Sequence, residues 1–170
     1  MDVLGLASDR VRLADPTPRW AQLYAEEAER LNAAVGPCLR GLEHYGSTSV
    51  PGLKAKPILD ILAGVPSLSD GLRLAGPLAA LGYEDMGTGV VPGHHLFGKG
   101  EARTHLLHVV EYGSPIWTEA LCFRDALRAD PALAQEYEAL KVRLSEQFAE
   151  SRAEYTAAKA GFIQSVLDRC

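Results

Sequence analysis

The sequence has few cysteines and no long apolar run, and both absences narrow the class of protein to which it can belong. Its three cysteines, Cys38, Cys122 and Cys170, are scattered, and none lies in a Cys-x-x-Cys motif. This spacing disfavours a disulfide scaffold and a structural zinc site, and it favours a reducing cytoplasm as the location. No apolar stretch approaches the length of a membrane span, and residues 1–5 lack the features of a signal peptide.

Positive charge is also scarce, since the net charge is −5 and the isoelectric point of the sequence is about 5.5. Binding along a nucleic-acid backbone needs a basic face, so we do not expect nucleic acid or a membrane as a partner. A small anionic or nucleotide ligand in a local basic pocket is compatible with this balance, and self-association into a homo-oligomer stays open. With 170 residues, 47% of them hydrophobic, and no repeat or linker, the chain predicts one domain over residues 1–170.

Neither of the common glycine motifs for phosphate binding is present. The segment GTGVVPG, residues 87–93, lacks the spacing of a dinucleotide fingerprint and has Pro92 where a helix would have to begin. Within residues 46–54, Gly52 is followed by Leu53 and not by the lysine of a Walker motif. Neither of these two ways of binding a nucleotide is therefore indicated.

Capping and hydrophobic patterns predict an α+β fold with a small mixed sheet of about five strands, an N-terminal helix and a C-terminal helical cap. Proline follows a good N-cap residue at Thr17, Ser114 and Asp130, which marks the starts of three helices. The predicted helices cover residues 18–35, 68–82, 115–129, 131–149 and 152–168. The predicted strands cover residues 42–45, 57–65, 83–86, 94–98 and 104–111.

A turn of small residues, Gly46, Ser47 and Thr48, follows the first predicted strand. Glycine allows the backbone to approach a ligand closely, and the two hydroxyl residues offer hydroxyl and N–H groups to an anion. We therefore take these three residues as candidate ligands of a phosphate group. A plain turn between strand and loop explains the same residues equally well.

The next predicted strand is apolar apart from one carboxylate, Asp60. A buried ionised carboxylate is costly unless it is paired, hydrogen-bonded or bound to a metal. Perturbed carboxylates near glycine turns are common in functional sites, so Asp60 is the leading candidate for a catalytic or metal-binding residue. A structural ion pair with Lys56 or Arg103 is the alternative.

Basic residues near this strand are candidates for contact with an anion. Lys56 stands just before the strand, and Arg103, His105 and His108 lie at the start of a later one. Side chains three residues apart in a strand point to opposite faces, so His105 and His108 cannot easily bind one metal ion. A metal site that combines one histidine with Asp60 stays open, but contact with an anionic ligand is the favoured interpretation.

Several blocks of the sequence resemble the GrpB-like family, whose members have a nucleotidyltransferase-type fold. The signature block is HYGSTSVPGLKAKPILDIL at residues 44–62. Further blocks in the family order are RTHLLHVVEYGSPIW at 103–117, FRDALRADPALAQEYEALK at 123–141 and EYTAAKAGFI at 154–163. The last block contains Tyr155 and Lys159, whose i, i+4 spacing is by itself typical of a surface helix face, and we add both to the candidate ligand-binding residues. Members of the family are sometimes fused to the enzyme that phosphorylates dephospho-coenzyme A.

The resemblance implies a site for nucleotidyl transfer. In the wider superfamily a Gly-Ser turn holds the triphosphate, and two acidic residues two positions apart on the next strand bind the metal. The reaction is an in-line attack on the α-phosphate, in which Mg²⁺ neutralises the developing charge. By this match Gly46 and Ser47 hold phosphate, Asp60 is the first metal ligand, and Mg²⁺ is the implied cofactor.

The second acidic position departs from the pattern, because it is Leu62. A later carboxylate, Glu111, shares a face with His105 by the period of a strand, and not with His108. The loss of one bridging carboxylate removes charge that a metal site needs. The sequence therefore supports nucleotide or phosphate binding better than two-metal catalysis. The alternatives are a non-catalytic binding or folding-helper module that keeps the fold, and an α/β scaffold for protein partners.

Overall fold

The computed structural model describes residues 3–170 and contains a five-stranded mixed sheet with helices on both faces. The strands are β1 (Gly41–Tyr45), β2 (Leu59–Val65), β3 (Tyr83–Gly87), β4 (His95–Lys99) and β5 (His105–Glu111). The helices are α1 (Arg19–Val35), α2 (Ala75–Ala80), α3 (Pro115–Ala129), α4 (Pro131–Gln147), α5 (Arg152–Ala158) and α6 (Ala160–Leu167). Short 3₁₀ segments lie at Gly36–Cys38, Ser47–Ser49 and Leu68–Leu74. The predicted α+β class and the mixed sheet of five strands are confirmed.

The strand order is β1-β2-β5-β4-β3. The central strands β2 and β5 are parallel, and the other neighbours are antiparallel. In this register Asp60 of β2 lies opposite Tyr45 of β1 and Leu106 of β5. Because side chains alternate between the two faces, Asp60, Leu62 and His108 project from the same face of the sheet.

The opposite face of the sheet carries the main apolar core. It is covered by α1, α2 and the 3₁₀ segment that precedes α2, and burial of apolar area here is the main favourable term in folding. The buried side chains of this layer include Leu31, Val35, Ile61, Leu74, Leu78, Phe97, Leu107 and Val109. On the Asp60 face, α3 covers a smaller cluster through Trp117, which packs on Leu62 and Val110.

The late helices pack against the loop between β1 and β2. Val50 and Leu53 of this loop are buried against Tyr137 of α4 and Val166 of α6. Tyr155 of α5 is buried in a neighbouring small cluster. The loop that begins with the predicted phosphate turn is therefore fixed between the sheet and the helical cap.

Helices α3 and α4 begin where the sequence predicts because their predicted caps form, whereas the N-cap residue of α1 is Pro18 and not the predicted Thr17. The Ser114 hydroxyl accepts a hydrogen bond from the Trp117 N–H at the start of α3. The Asp130 carboxylate accepts the Ala132 N–H at the start of α4. Each contact satisfies a backbone donor that the first turn of a helix leaves without a partner.

Two of the predicted helices are interrupted. The predicted helix over 68–82 is a 3₁₀ segment followed by the short α2, since Gly71 and Pro77 are poor residues for a helix interior. The predicted helix over 152–168 is divided at Lys159, where α5 ends and α6 begins. The second break matters for the site, because Lys159 is one of the candidate ligand-binding residues.

The cysteines depart from the expected pattern. Cys122 of α3 and Cys170 form a disulfide bond, with their Cα atoms 6.4 Å apart, while Cys38 is exposed and free. The sequence disfavoured disulfides because of the wide spacing along the chain, but spacing does not report the distance that helix packing creates. Among residues 3–170 no helix has the length and apolar character needed to cross a membrane. The cytoplasmic location stays a prediction.

Candidate functional site

The turn after β1 lies directly against Asp60. Gly46 has a φ of +70°, a conformation that glycine adopts without steric penalty. A Cβ atom at this position would lie 2.6 Å from Oδ2 of Asp60, which is too close for any side chain. The structure thus brings together the two features that the sequence singled out, and it explains why the turn begins with glycine.

Two hydroxyl groups hold this turn in place. Thr48 is buried, and its Oγ1 lies 2.9 Å from Nε2 of His44. The Ser49 hydroxyl donates a hydrogen bond to the Gly46 carbonyl oxygen. Ser47 is half-buried. The Thr48 side chain is therefore committed to the turn itself. The Ser47 side chain is within hydrogen-bonding reach of Tyr137 and is the hydroxyl of the turn that is left to meet a ligand.

The hydrogen-bond partner of Asp60 is His108, rather than Lys56 or Arg103. Oδ1 of Asp60 lies 3.3 Å from Nε2 of His108, and the Asp60 side chain is 29% exposed. Burial by itself would raise the pKa of Asp60, but the hydrogen bond and charge of His108 and the charges of Lys56 and Lys159 lower it. The carboxylate is therefore ionised at neutral pH and partly open to solvent.

A second histidine extends this contact. Nδ1 of His94 lies 3.1 Å from Nδ1 of His108. Burial lowers the pKa of His94 to about 4, with the charge of His108 acting in the same direction, so His94 is neutral at pH 7. Asp60, His108 and His94 form a chain of polar groups along one face of the sheet.

Three lysines from separate parts of the chain gather around two tyrosine rings. Nζ of Lys56 lies 5.5 Å from the centre of the Tyr155 ring, and Nζ of Lys159 lies 4.4 Å from it. Nζ of Lys141 lies 5.0 Å from the centre of the Tyr137 ring. An ammonium group over an aromatic ring is a favourable contact, and these contacts fix the positions of the three charges.

Burial lowers the pKa of all three lysines. The pKa of Lys159 falls to about 8 and that of Lys141 to about 7, and neighbouring ammonium groups add to both shifts. The pKa of Lys56 is lowered by burial too, against the opposing effect of Asp60. At pH 7 Lys159 is therefore mostly protonated and Lys141 only about half protonated, so the positive charge of this group can rise when an anion binds.

His105 lies away from this group, on the other face of the sheet. Its Nδ1 is 2.8 Å from Oγ1 of Thr104. Burial lowers its pKa to about 4. Because side chains alternate along β5, His105 and His108 face opposite layers, and Glu111 shares the face of His105. Neither His105 nor Glu111 is placed to complete a site around Asp60.

Arg103 lies on the Asp60 face but at its far side. Its Nη2 is 4.0 Å from Oε2 of Glu84, and its guanidinium group packs over Gly98 of β4. Gly98 is opposite Leu106 of β5, which is itself opposite Asp60 of β2. The Arg103 charge is therefore two strands away from the carboxylate.

The residues around Asp60 do not fit a metal ion held by the protein alone. Leu62 is fully buried against Val110 and Trp117. Within residues 3–170, no three His, Cys, Asp or Glu side chains are grouped so as to hold an ion. Mg²⁺ takes several oxygen ligands, whereas Asp60 offers one carboxylate that is already bonded to His108. The implied cofactor stays a prediction.

Two residues of the site were not found from the sequence. Tyr137 and Lys141 are i, i+4 neighbours on α4, a helix rich in ordinary helix-forming residues. Nothing in this spacing indicates that Lys141 is 1% exposed. The signal that could have found them is their position within the block at 123–141, which resembles the family.

Comparison with known proteins finds relatives in the family that the signature block resembles. Residues 10–169 match the family described as GrpB protein. The chain is 34% identical over 172 residues to the glutamate-rich protein GrpB of Alkalihalophilus pseudofirmus, covering 98% of this chain and 99% of that protein. It is also 28% identical over 198 residues to a dephospho-CoA kinase of Mycolicibacterium paratuberculosis, covering 96% of this chain and 47% of that protein.

A solved structure has the same fold. The crystal structure of the conserved protein GrpB from Enterococcus faecalis matches with a TM-score of 0.84 and 32% sequence identity. The match covers 93% of this chain and 96% of that chain. The observed architecture is consistent with a nucleotidyltransferase-like fold. Sequence and fold therefore agree with the relationship that the signature block indicated.

Proposed function

The chain belongs to the GrpB family, and from this membership and the geometry of its site we propose that it binds a small nucleotide-like ligand through the phosphate groups. The observation that carries the proposal is the close approach of Gly46 to Asp60, with Lys56 and Lys159 acting on the same carboxylate. A glycine turn, the Ser47 hydroxyl and ammonium groups are donors suited to phosphate oxygen atoms. This combination supports a phosphate ligand better than a plain structural turn.

The test uses two glycines of the same segment. Gly46 and Gly52 both have positive φ, at +70° and +78°, but a Cβ atom at Gly52 would meet nothing within 4 Å. Alanine is strained at both positions because both have positive φ. The strain is greater at Gly46, whose ψ of −179° completes a conformation that is open almost only to glycine. Gly46→Ala also pushes the turn away from Asp60, so Gly52→Ala is the control for the strain of a positive φ alone.

We expect nucleoside diphosphates or triphosphates to bind the wild type in calorimetric titrations performed with and without Mg²⁺. Gly46→Ala should weaken this binding about tenfold or more, and Gly52→Ala should leave it within about twofold. Thermal unfolding of both variants shows whether each is folded at the temperature of the titration. If the wild type binds no nucleotide under either condition, the proposal is wrong.

The burial of Leu62 favours a non-catalytic binding or folding-helper module as the second candidate. In-line nucleotidyl transfer depends on charge that metal ions and their carboxylates supply, and one of the two expected carboxylates is absent. We therefore expect the wild type to transfer no nucleotide to water or to an added acceptor in the presence of Mg²⁺. Transfer that disappears in Asp60→Asn would instead establish a metal-dependent transferase.

A further inference from the structure

The site combines three ammonium groups with a shortage of carboxylates. Asp60 is the carboxylate that acts on Lys56 and Lys159, and it is already hydrogen-bonded to His108. Within residues 3–170, the lysines that form ion pairs are Lys54 and Lys99, whereas the three lysines of the site form none. Charge that is partly buried without a counter-charge is unfavourable unless a ligand supplies one.

We propose that Lys56, Lys141 and Lys159 take the electrostatic place of a divalent metal, so that the site binds a phosphate group carrying at least two negative charges without Mg²⁺. This inference rests on the proposed function, because it names the charge and chemistry of the ligand at that same site. The shared chemistry is a phosphoryl or pyrophosphoryl group, whether free or at the end of a nucleotide.

The two outer ammonium groups are held against one ring from different parts of the chain. Lys56 precedes β2, and Lys159 stands at the break between α5 and α6. The Tyr155 ring that both groups approach is 1% exposed and packs on Val11 and Leu144. Each Nζ atom lies within 5.5 Å of the centre of this one ring, so a pyrophosphate group can meet both charges with little reordering of side chains.

Lys141 adds a third charge, which is close enough to Lys56 and Lys159 for their charges to act on it. Its Nζ donates a hydrogen bond to the Lys54 carbonyl oxygen, which leaves further N–H donors on the same ammonium group. The carboxylate that acts on Lys141 is Glu138, whose Oε2 accepts the Lys54 N–H at 2.7 Å. The charges of Lys56 and Lys159 both act against Lys141. A phosphate dianion relieves this repulsion, which a singly charged carboxylate ligand does only in part.

The direct test is a titration with inorganic pyrophosphate in the presence of excess EDTA. Wild type is expected to bind, and both Lys56→Met and Lys159→Met should weaken binding about tenfold or more. Lys159→Arg keeps the charge and should retain most of the affinity. Lys54→Met is the matched control, because this side chain is 42% exposed and pairs with Asp15, and it should change the affinity by less than about twofold.

The sign of the effect of Asp60→Asn separates direct binding from binding through a metal. Loss of the Asp60 charge removes a repulsion from the anion, but it also lowers the pKa of Lys56 and Lys159, whose protonated forms Asp60 favours. The comparison is therefore made at pH 6, well below the pKa of about 8 of Lys159. If ammonium groups hold the anion, pyrophosphate should bind Asp60→Asn there as tightly as wild type or more tightly. The inference is contradicted if pyrophosphate binds wild type only in the presence of Mg²⁺, or if it binds Lys159→Met as tightly as wild type. A loss of metal-free binding in Asp60→Asn at pH 6 contradicts it too.

Proton uptake gives an independent readout. An anion beside Lys141 and Lys159 raises pKa values that burial holds at about 7 and about 8, so binding at pH 8 should take up protons. Calorimetry in two buffers of different ionisation enthalpy measures the number of protons taken up when pyrophosphate binds. Lys56 and Asp60 also face Lys159, and Lys56 and Glu138 face Lys141. The pKa of Asp60 is lowered, so this carboxylate keeps its charge at pH 8.

The outcomes distinguish this inference from the proposed function. Nucleotide binding that occurs only with Mg²⁺ would preserve the proposed function and overturn the metal-free site. Pyrophosphate binding in EDTA without binding of any nucleotide would preserve the metal-free site and overturn the nucleotide proposal.

Discussion

Leu62 follows Asp60 by two residues on the same face of β2, but the two side chains have different surroundings. Leu62 is fully buried against Val110 and Trp117, whereas the Asp60 side chain is 29% exposed. The contrast arises because α3 covers the sheet at Leu62, while the Gly46 turn lies against Asp60. A second acid at position 62 would therefore lie in an apolar cluster under a helix.

We predict that Leu62→Asp lowers the free energy of unfolding by about 3 kcal/mol or more, because it buries an unpaired charge and removes apolar contacts. Urea unfolding measures this loss. Leu72→Asp is the control, since Leu72 is 71% exposed, and it should change stability by less than about 0.5 kcal/mol. A Leu62→Asp protein as stable as wild type that also bound Mg²⁺ would show that position 62 can complete a metal site.

Single residues of the site could be predicted where the signal is local. A glycine after a strand and an acid in an apolar run are visible in the sequence, and the structure brings Gly46 and Asp60 together. Lys141 and His94 could not be placed in this way. Lys141 depends on how α4 packs on the loop before β2, and the contact of His94 with His108 depends on the pairing of β4 with β5.

Helix α1 is joined to the sheet by a buried charge network. Glu27 is fully buried, and its carboxylate accepts hydrogen bonds from Tyr83 of β3 at 2.8 Å and from Lys99 of β4 at 2.8 Å. It also accepts one from Arg30 at 3.0 Å. Burial alone would raise the pKa of Glu27, but the three donors together lower it. The network therefore stabilises the charged form of Glu27 inside the protein.

We predict that Glu27→Gln costs about 3–5 kcal/mol, because it leaves the charges of Lys99 and Arg30 without their partner. Glu26→Gln is the matched control, since Glu26 is 46% exposed in its pair with Arg19, and it should cost less than about 1 kcal/mol. Chemical unfolding of both variants gives the comparison. Equal costs for the two would mean that the buried network adds no more than a surface ion pair.

The same network contributes an acid-sensitive part of the stability. The pKa of Glu27 lies below its unfolded value of 4.5, so its contribution is complete above that value and is lost as the pH falls toward the folded pKa. Glu27→Gln should therefore show a shallower loss of stability below pH 4.5 than wild type. If Glu27→Gln loses stability below pH 4.5 as steeply as wild type does, other carboxylates cause the loss.

Among the helices and strands, the sequence predicts best those features that contacts between neighbouring residues determine. The starts of α3 and α4 follow from Ser114 and Asp130, whose side chains cap the first turn. The order of the strands is not a local property, because β2 pairs with β5 across the whole β3–β4 hairpin. The sequence predicted five strands in a mixed sheet but had no means to place Asp60 beside His108.

Across the whole molecule, buried lysines make stability depend on pH above neutrality. Burial is the main cause that lowers the pKa of Lys141 from 10.5 to about 7, so between these values the unfolded chain binds a proton that the folded chain lacks. The free energy of unfolding should therefore rise from pH 7 to pH 9, by up to about 1.4 kcal/mol per pH unit for one such group. Buried tyrosines such as Tyr137 act in the opposite direction only near pH 10 and above.

Urea unfolding at pH 7, 8 and 9 measures this slope. Lys141→Met should flatten it, and Lys54→Met, which removes an exposed charge from the neighbouring loop, should leave it unchanged. Saturating pyrophosphate should also flatten the slope, because a bound anion keeps the lysines protonated in the folded state. A slope that is the same in Lys141→Met would show that this lysine is charged throughout the range.

The division of the site between the two ends of the chain has a consequence for protein synthesis. Lys56 and Asp60 precede β3, whereas Tyr155 and Lys159 belong to the last two helices. About 100 residues separate the two groups, so at roughly 5–20 residues per second the ribosome makes the second group about 5–20 seconds after the first. During that interval the nascent chain lacks Lys159 and, until α4 has been made, Lys141, which are two of the three charges that hold the proposed anion. The ligand can therefore stabilise only a chain whose synthesis has passed Lys159, and it cannot assist the folding of a shorter one.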